Sequence, residues 1–336
     1  MKPFTNTIIL LFATLLLTVS IAQAADSIVV FSGRSDKFVK PVIKQFTKET
    51  GIKVTIHSGD STALLNKLKI EGNRTDADLF LSNDAGTLQK GSDLGLFAKL
   101  PSPITSPIDA NYRAQDDTWI GLSARARVLV VNTDSPFADT LHSVFDLADP
   151  RLKGKLGITH STNESYIAGV SVYLLASDKD KTKAWLTGMK KNVEGKVFNK
   201  HSKVVSAVAS GKKSAGLVNH YYVYRHLDQH PDAPLKIILP DQGSNDMGLA
   251  WNVAGIALSK HTKKQALAEK LLAYLISEKG QKVFADVNRE YPTRAGVAAS
   301  AVVPMAGSFK IANVPMYQLG KYRNETIDLI EAVGMP

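Results

Sequence analysis

The chain of 336 residues contains no cysteine. No disulfide can support its fold, and no lipid can be attached to a thiol behind its leader. Beyond residue 24 it has no apolar run long enough to cross a bilayer. Catalytic signatures are missing as well: no Gly-x-Ser-x-Gly elbow, no His-Glu-x-x-His, no P-loop and no dinucleotide fingerprint. Its carboxylates and histidines lie in loops without a partner at recognisable spacing, so no enzyme is expected. Repeats and low-complexity segments are absent too, which argues against a solenoid or a fibre. Charge is not lacking, at a formal +10. A basic balance often signals nucleic acid, but these lysines are scattered over helical surfaces, as in Lys190-Lys191 and Lys263-Lys264. They read as a solvated surface with no nucleic-acid partner.

What is present begins with an export leader, residues 1–24. Lys2 supplies the positive region, Ile8 to Val19 the apolar region, and Ala22-Gln23-Ala24 the small-x-small cleavage site. A soluble protein exported to a Gram-negative periplasm is expected. Its length allows large cores and two lobes without covalent staples.

Strand and helix patterns then alternate almost throughout. Ser27 to Phe31 reads as a buried strand, and Phe38, Val39, Val42, Ile43 and Phe46 line one face of a helix over 37–48. Ile52 to Ile56 is a second strand, Leu64, Leu65 and Leu68 mark a second helix, and Asp78 to Leu81 is a third strand. This βαβαβ order predicts an α/β fold with a parallel sheet and ligand groups outside the strands' carboxyl ends. The candidate loops are therefore Ser32 to Asp36 and Ser82 to Asp84. Ile120 to Ala124 and Val128 to Val131 flank Arg125-Ala126-Arg127, where the chain is expected to cross to a second lobe. The lobe limits read as 25–126 with about 252–301, and about 127–251 with 302–336. Ser161-Thr162-Asn163-Glu164 has the form of a capping box opening a helix from Ser165 to Ala176, with Tyr166 near its start.

The stretch Gly216 to Arg225 carries the most chemistry. A short buried strand ends at Asn219, whose side chain can cap a helix beginning at His220. Tyr221 and Tyr222 then stand roughly 100° apart in the first helical turn, so both can lean into one cleft. The helix dipole favours ionised oxygen there. Paired phenolates are hard donors suited to Fe(III), although a Tyr-Tyr pair by itself is more commonly core packing. His57, His160 and His201 have no metal-ligand spacing and read as surface or loop residues. His220, one helical position away from the pair, is expected to point elsewhere.

Five ordered segments add to this: Phe46 to Val54, Glu71 to Asp78, Leu122 to Val128, Asn219 to Tyr222 and Glu290 to Val297. Together they resemble the periplasmic ferric-ion-binding proteins that serve ABC iron importers, over nearly the whole chain past the leader. The resemblance implies a two-lobed solute-binding fold of type II, a hinged clamp holding its ligand in the interlobe cleft. It implies Fe(III) ligation by Tyr221 and Tyr222, with Tyr166 as a third tyrosinate. It further implies a synergistic anion such as carbonate held by Arg125, with Ser161, Thr162, Asn163 and Asn219 as its further donors. The implied partner is an inner-membrane ABC permease for iron, served by a monomer. Many relatives place a histidine in the first loop, where Ser35 and Asp36 stand here, and some place a glutamate where Asn83 and Asp84 stand. Asp36 and Asp84 are therefore the first-lobe candidates for the metal, Asp36 being equally suited to cap its helix. An alternative ligand for the same fold is a phosphonate or a phosphorylated small molecule.

Overall fold

Apolar and β-branched residues make β1 (Ser27–Ser32), and the apolar stripe of Phe38, Val39, Val42, Ile43 and Phe46 makes α1 (Asp36–Thr50), which ends on Gly51 at φ 73°. In this computed structural model, which describes residues 27–336, the leader assigned to 1–24 lies outside the described residues. The helix begins one residue earlier than its expected start at 37, with Ser35 rather than Asp36 at the cap position. The chain continues through β2 (Lys53–Ser58), α2 (Ser61–Glu71), β3 (Leu79–Ser82), α3 (Ala85–Asp93), β4 (Phe97–Ala98) and the short α4 (Ser102–Thr105). Strands β1 and β2 pair in parallel, as do β1 and β3, in keeping with the βαβαβ pattern.

The 14-residue β5 (Trp119–Asn132) is buried along its whole length. Two apolar segments interrupted by Arg125-Ala126-Arg127 were expected, yet one strand runs straight through the arginines. Each finds a polar residue opposite: Arg125 faces Asn252 and Arg127 faces Asn219. The next elements are β6 (Leu156–Gly157), α5 (Glu164–Ala176), α6 (Lys179–Val193), α7 (His201–Ala209), β7 (Ala215–Asn219), α8 (His220–Leu227) and β8 (Leu235–Ile238). The chain closes with β9 (Trp251–Ser259), α9 (Gln265–Ile276), α10 (Glu278–Asn288), β10 (Tyr291–Pro292) and α11 (Gln318–Val333).

Strand order is β2-β1-β3-β9-β5-β7-β6. From Trp119 to Ala126, β5 pairs with β9; from Arg127 onward it pairs with β7 and, beside that, β8. One strand thus serves two sheets and changes partner between the two arginines. A core around Ile28, Val39, Leu79, Leu258 and Leu271 fills one side of the first sheet, while a larger core joins Phe31 and Phe80 to Val128, Val204 and Leu217. Each such fully buried side chain stabilises by roughly 1.5–3 kcal/mol. Helix α11 packs against α3 and also against α5 and α6, so it braces both halves.

Candidate metal centre

At the β7–α8 junction the strand is buried at all five positions, and α8 follows without a break. That sharp turn presents Tyr221 and Tyr222 with ring centroids 4.5 Å apart. Phe38 of α1 meets both rings edge-on, at 5.4 and 6.4 Å, and the Lys37 ammonium lies 5.8 Å from the Tyr222 centroid. Helix α1 therefore covers the tyrosine pair. Burial raises the Tyr222 phenol above the ordinary tyrosine value, and Tyr221 adds to this while Arg34 and Arg125 oppose it. Burial likewise raises Tyr166, with Arg127 opposing; its hydroxyl is buried with no hydrogen-bond partner. Without a metal the Tyr166 and Tyr222 oxygens are neutral phenols.

Asn219 does not cap α8. Its Oδ1 accepts from Arg127 Nη1 at 3.1 Å, and its Nδ2 donates to Tyr221 Oη at 3.1 Å and to Ser165 Oγ at 3.2 Å. The guanidinium opposite in the β5–β7 register makes a charge-assisted bond, which outcompetes a neutral cap. The expected capping box at the start of α5 also differs. Asn163 caps the helix, accepting from the backbone N–H groups of Ser165 and Tyr166. Glu164 is the first helical residue, and its Oε2 accepts from Ser61 Oγ of α2 at 3.0 Å. Although Glu164 is partly exposed as a residue, its other carboxylate oxygen is buried; burial, then Asp84 and Asp60, push its pKa up to about 8.

Arg125 is 2% exposed and leaves both Nη1 and Nη2 without a partner; Arg127 leaves Nε so. With Ser165, Asn219, Trp251 and Asn252 they line a void too tight for a water. Trp251 Nε1 and Asn252 Nδ2 are unpaired there as well. Burying two guanidinium groups with idle donors is costly unless an anion answers them. Arg127 also lies within electrostatic reach of Tyr166, Tyr173 and Tyr221.

The remaining candidates stand apart from this void. Asp36 is partly exposed, receives a hydrogen bond from the Ser58 hydroxyl and pairs with Lys40 at 2.7 Å; Lys40 and Ser58 hold its pKa low. Asp84 is wholly buried and caps α3, accepting from Thr87 N at 3.0 Å and Thr87 Oγ1 at 2.8 Å, with Arg323 at 3.6 Å. Ser161 Oγ donates to Met335 O at 3.1 Å. Ser161, exposed Thr162 and Glu164 line a cavity of about 390 Å³ bounded by α2, α3 and α11, a different hollow from the one beside Arg125.

Two residues at the tyrosines escaped the sequence reading. His201, expected at the surface, is 4% exposed, with its ring 5.1 Å from that of Tyr222. It opens α7, and the packing of α7 on α8 carries it inward. Arg34 pairs with the fully buried Glu290 and donates to Ser123 Oγ at 2.9 Å. The Ser32–Asp36 loop pointed to it, but a partner 256 positions away left no local signal. Among the described residues no group of three or more His, Cys, Asp or Glu is placed to hold a metal. The hard donors at hand are phenols.

The model of the bacterial extracellular solute-binding proteins matches residues 42–311. The chain belongs to that family. An iron uptake protein, A1, of Synechocystis is 31% identical over 297 residues, covering 86% of this chain and 82% of its own length. A Serratia marcescens Fe(3+)-binding periplasmic protein is 29% identical, over 94% of this chain and 92% of its own. A solved Trichodesmium structure, in complex with iron and citrate, superposes with a TM-score of 0.81 at 30% identity, covering 92% of this chain and all of that one. These neighbours share the two-lobed fold, and this solute-binding protein falls among iron-binding transport proteins, not enzymes. Among the described residues no helix is long and apolar enough to cross a membrane.

Proposed function

We propose that this solute-binding protein captures Fe(III) on the phenolate oxygens of Tyr166, Tyr221 and Tyr222, with a carbonate-like anion on Arg125. The periplasm is its compartment and an inner-membrane ABC permease receives the metal from the monomer. The lobes that clamp it are 25–126 with about 252–301, and about 127–251 with 302–336, joined where β5 changes partner. One observation carries this reading: around the tyrosines, buried polar atoms stand without partners, namely both Arg125 Nη atoms, Arg127 Nε and Tyr166 Oη. The void beside the arginines is too tight for a water as it stands, so an oxyanion would pair with Arg125 only once the surrounding elements part. There it would satisfy the guanidinium donors, and a cation would occupy the phenol oxygens.

Three phenolates cancel the three charges of Fe(III), so binding displaces three phenolic protons. Because burial holds the Tyr166 and Tyr222 phenols above their ordinary value of about 10, the metal must supply the driving force for their ionisation. Ferric affinity therefore falls as pH falls. The names of the relatives, which include iron uptake and Fe(3+)-binding proteins, support the same cargo.

The test is a visible absorption titration of metal-stripped protein with a ferric chelate, with and without bicarbonate. A phenolate-to-iron charge-transfer band that saturates at one equivalent and deepens with bicarbonate is expected. A colourless protein that iron does not stabilise against heat would contradict the proposal and redirect attention to a phosphonate or phosphorylated ligand on Arg125.

A further inference from the structure

One buried group beside the tyrosines has no task in the chemistry above. His201 is 4% exposed, and neither of its ring nitrogens has a hydrogen-bond partner. An imidazole gives up two hydrogen bonds with water to reach that position, which is unfavourable unless something in the working protein replaces them. Its ring leans on Tyr222 at 5.1 Å and 38°. A neutral imidazole keeps one nitrogen lone pair free for such a partner.

The other nitrogen candidates are occupied. His220 accepts from Ala126 N at its Nδ1, at 3.2 Å, and its Nε2 donates to Arg289 O at 2.7 Å. In the first loop Arg34 is committed to Glu290 and Ser123, and Ser35 offers no nitrogen in its side chain. Three phenolates and a bidentate oxyanion fill five positions of an octahedral ion, which leaves one. Resting on the reading of Tyr166, Tyr221 and Tyr222 as ferric ligands, we propose that His201 supplies a nitrogen ligand to the bound Fe(III). The metal would then take all its protein donors from α5, α7 and α8, with none from α1 or α3.

The experiment is pulsed electron paramagnetic resonance on untagged protein loaded with Fe(III) and bicarbonate, with natural-abundance and 15N-labelled histidine. Nitrogen couplings that change with the label are expected. They should vanish in His201→Gln while the charge-transfer band persists and ferric affinity drops ~10-fold or more. His201→Phe, which keeps a ring against Tyr222 but removes both nitrogens, repeats the loss with packing intact. His220→Gln should leave the couplings in place. A coloured parent without histidine couplings, or couplings that survive in both His201 variants, overturns the assignment. So does an effect of His201→Gln confined to bicarbonate dependence, which would place the ring on the anion. A parent that never colours fails the ferric reading itself, and is thereby told apart from a failure of His201 alone.

Discussion

The two faces of the cleft differ in how fully their polar groups are satisfied. On the side of α1 and α3 the three charged groups nearest the cleft have partners: Asp36 has Lys40 and Ser58, Asp84 has Thr87 and Arg323, and Arg34 has Glu290 and Ser123, with its Nε alone left idle. On the side built from β5, α5, α7 and α8, partners are missing on Arg125, Arg127, Tyr166 and His201. Asp84 and Arg34 are as buried as Arg125, so burial does not distinguish the faces. The degree of completion does. A face whose hydrogen bonds are closed within the protein contributes shape and stability, whereas one with idle donors and acceptors is built for something brought to it.

The strongest way to break this contrast is at the tyrosines. Tyr222→Phe and Tyr221→Phe each remove one phenolic oxygen and little volume, so the fold should persist while ferric affinity falls by more than ~100-fold, beyond the usual cost of disturbing a ligand's supporting shell. Competition with a ferric chelator at neutral pH measures it. Intact affinity in both variants would move the site elsewhere.

A satisfied histidine sharpens the contrast with His201. Burial first of all pushes the His220 pKa down to about 4, against about 6.5 in the unfolded chain. The folded protein holds this ring neutral, so its contribution is fully present above pH 6.5 and is lost as pH falls from there towards 4. The loss should reach ~3 kcal/mol, and His220→Gln should flatten that part of the stability curve measured by denaturant unfolding. A curve equally steep in the variant would assign the acid sensitivity to other groups.

Arg125→Gln should lower ferric affinity ~10–100-fold and, more tellingly, abolish the benefit of bicarbonate. Repeating the titration at several bicarbonate concentrations decides whether the anion sits there. The smallest effects belong to the finished face. Asp84→Ala should cost about 1–2 kcal/mol of stability through the lost cap of α3, and Asp36→Asn should change stability by no more than ~0.5 kcal/mol. Neither should alter ferric affinity by as much as Arg125→Gln does, and a larger loss in either would return a carboxylate to the coordination sphere.

Much of this was legible in the chain itself. Apolar stripes such as Phe38 to Phe46 and the run Ala215 to Val218 mark elements because helix and strand periods are local properties. Tyr221 and Tyr222 were visible because adjacency in sequence and a helix start place them side by side. What escaped depends on packing across distance. Arg127 takes the Asn219 side chain because β5 and β7 pair in that register, and Glu164 leaves its expected cap because Ser61 stands across the cleft. His201 precedes Tyr222 by a full helix and strand, and only the docking of α7 on α8 makes them neighbours. No spacing rule encodes an unpaired atom.

The most direct measurement is a crystal structure of the iron-loaded protein with anomalous diffraction at the iron edge. The account predicts one iron bound by the oxygens of Tyr166, Tyr221 and Tyr222, an anion between it and Arg125, and no carboxylate of Asp36 or Asp84 in contact. An iron held by either aspartate, or lying away from the tyrosine pair, would contradict it.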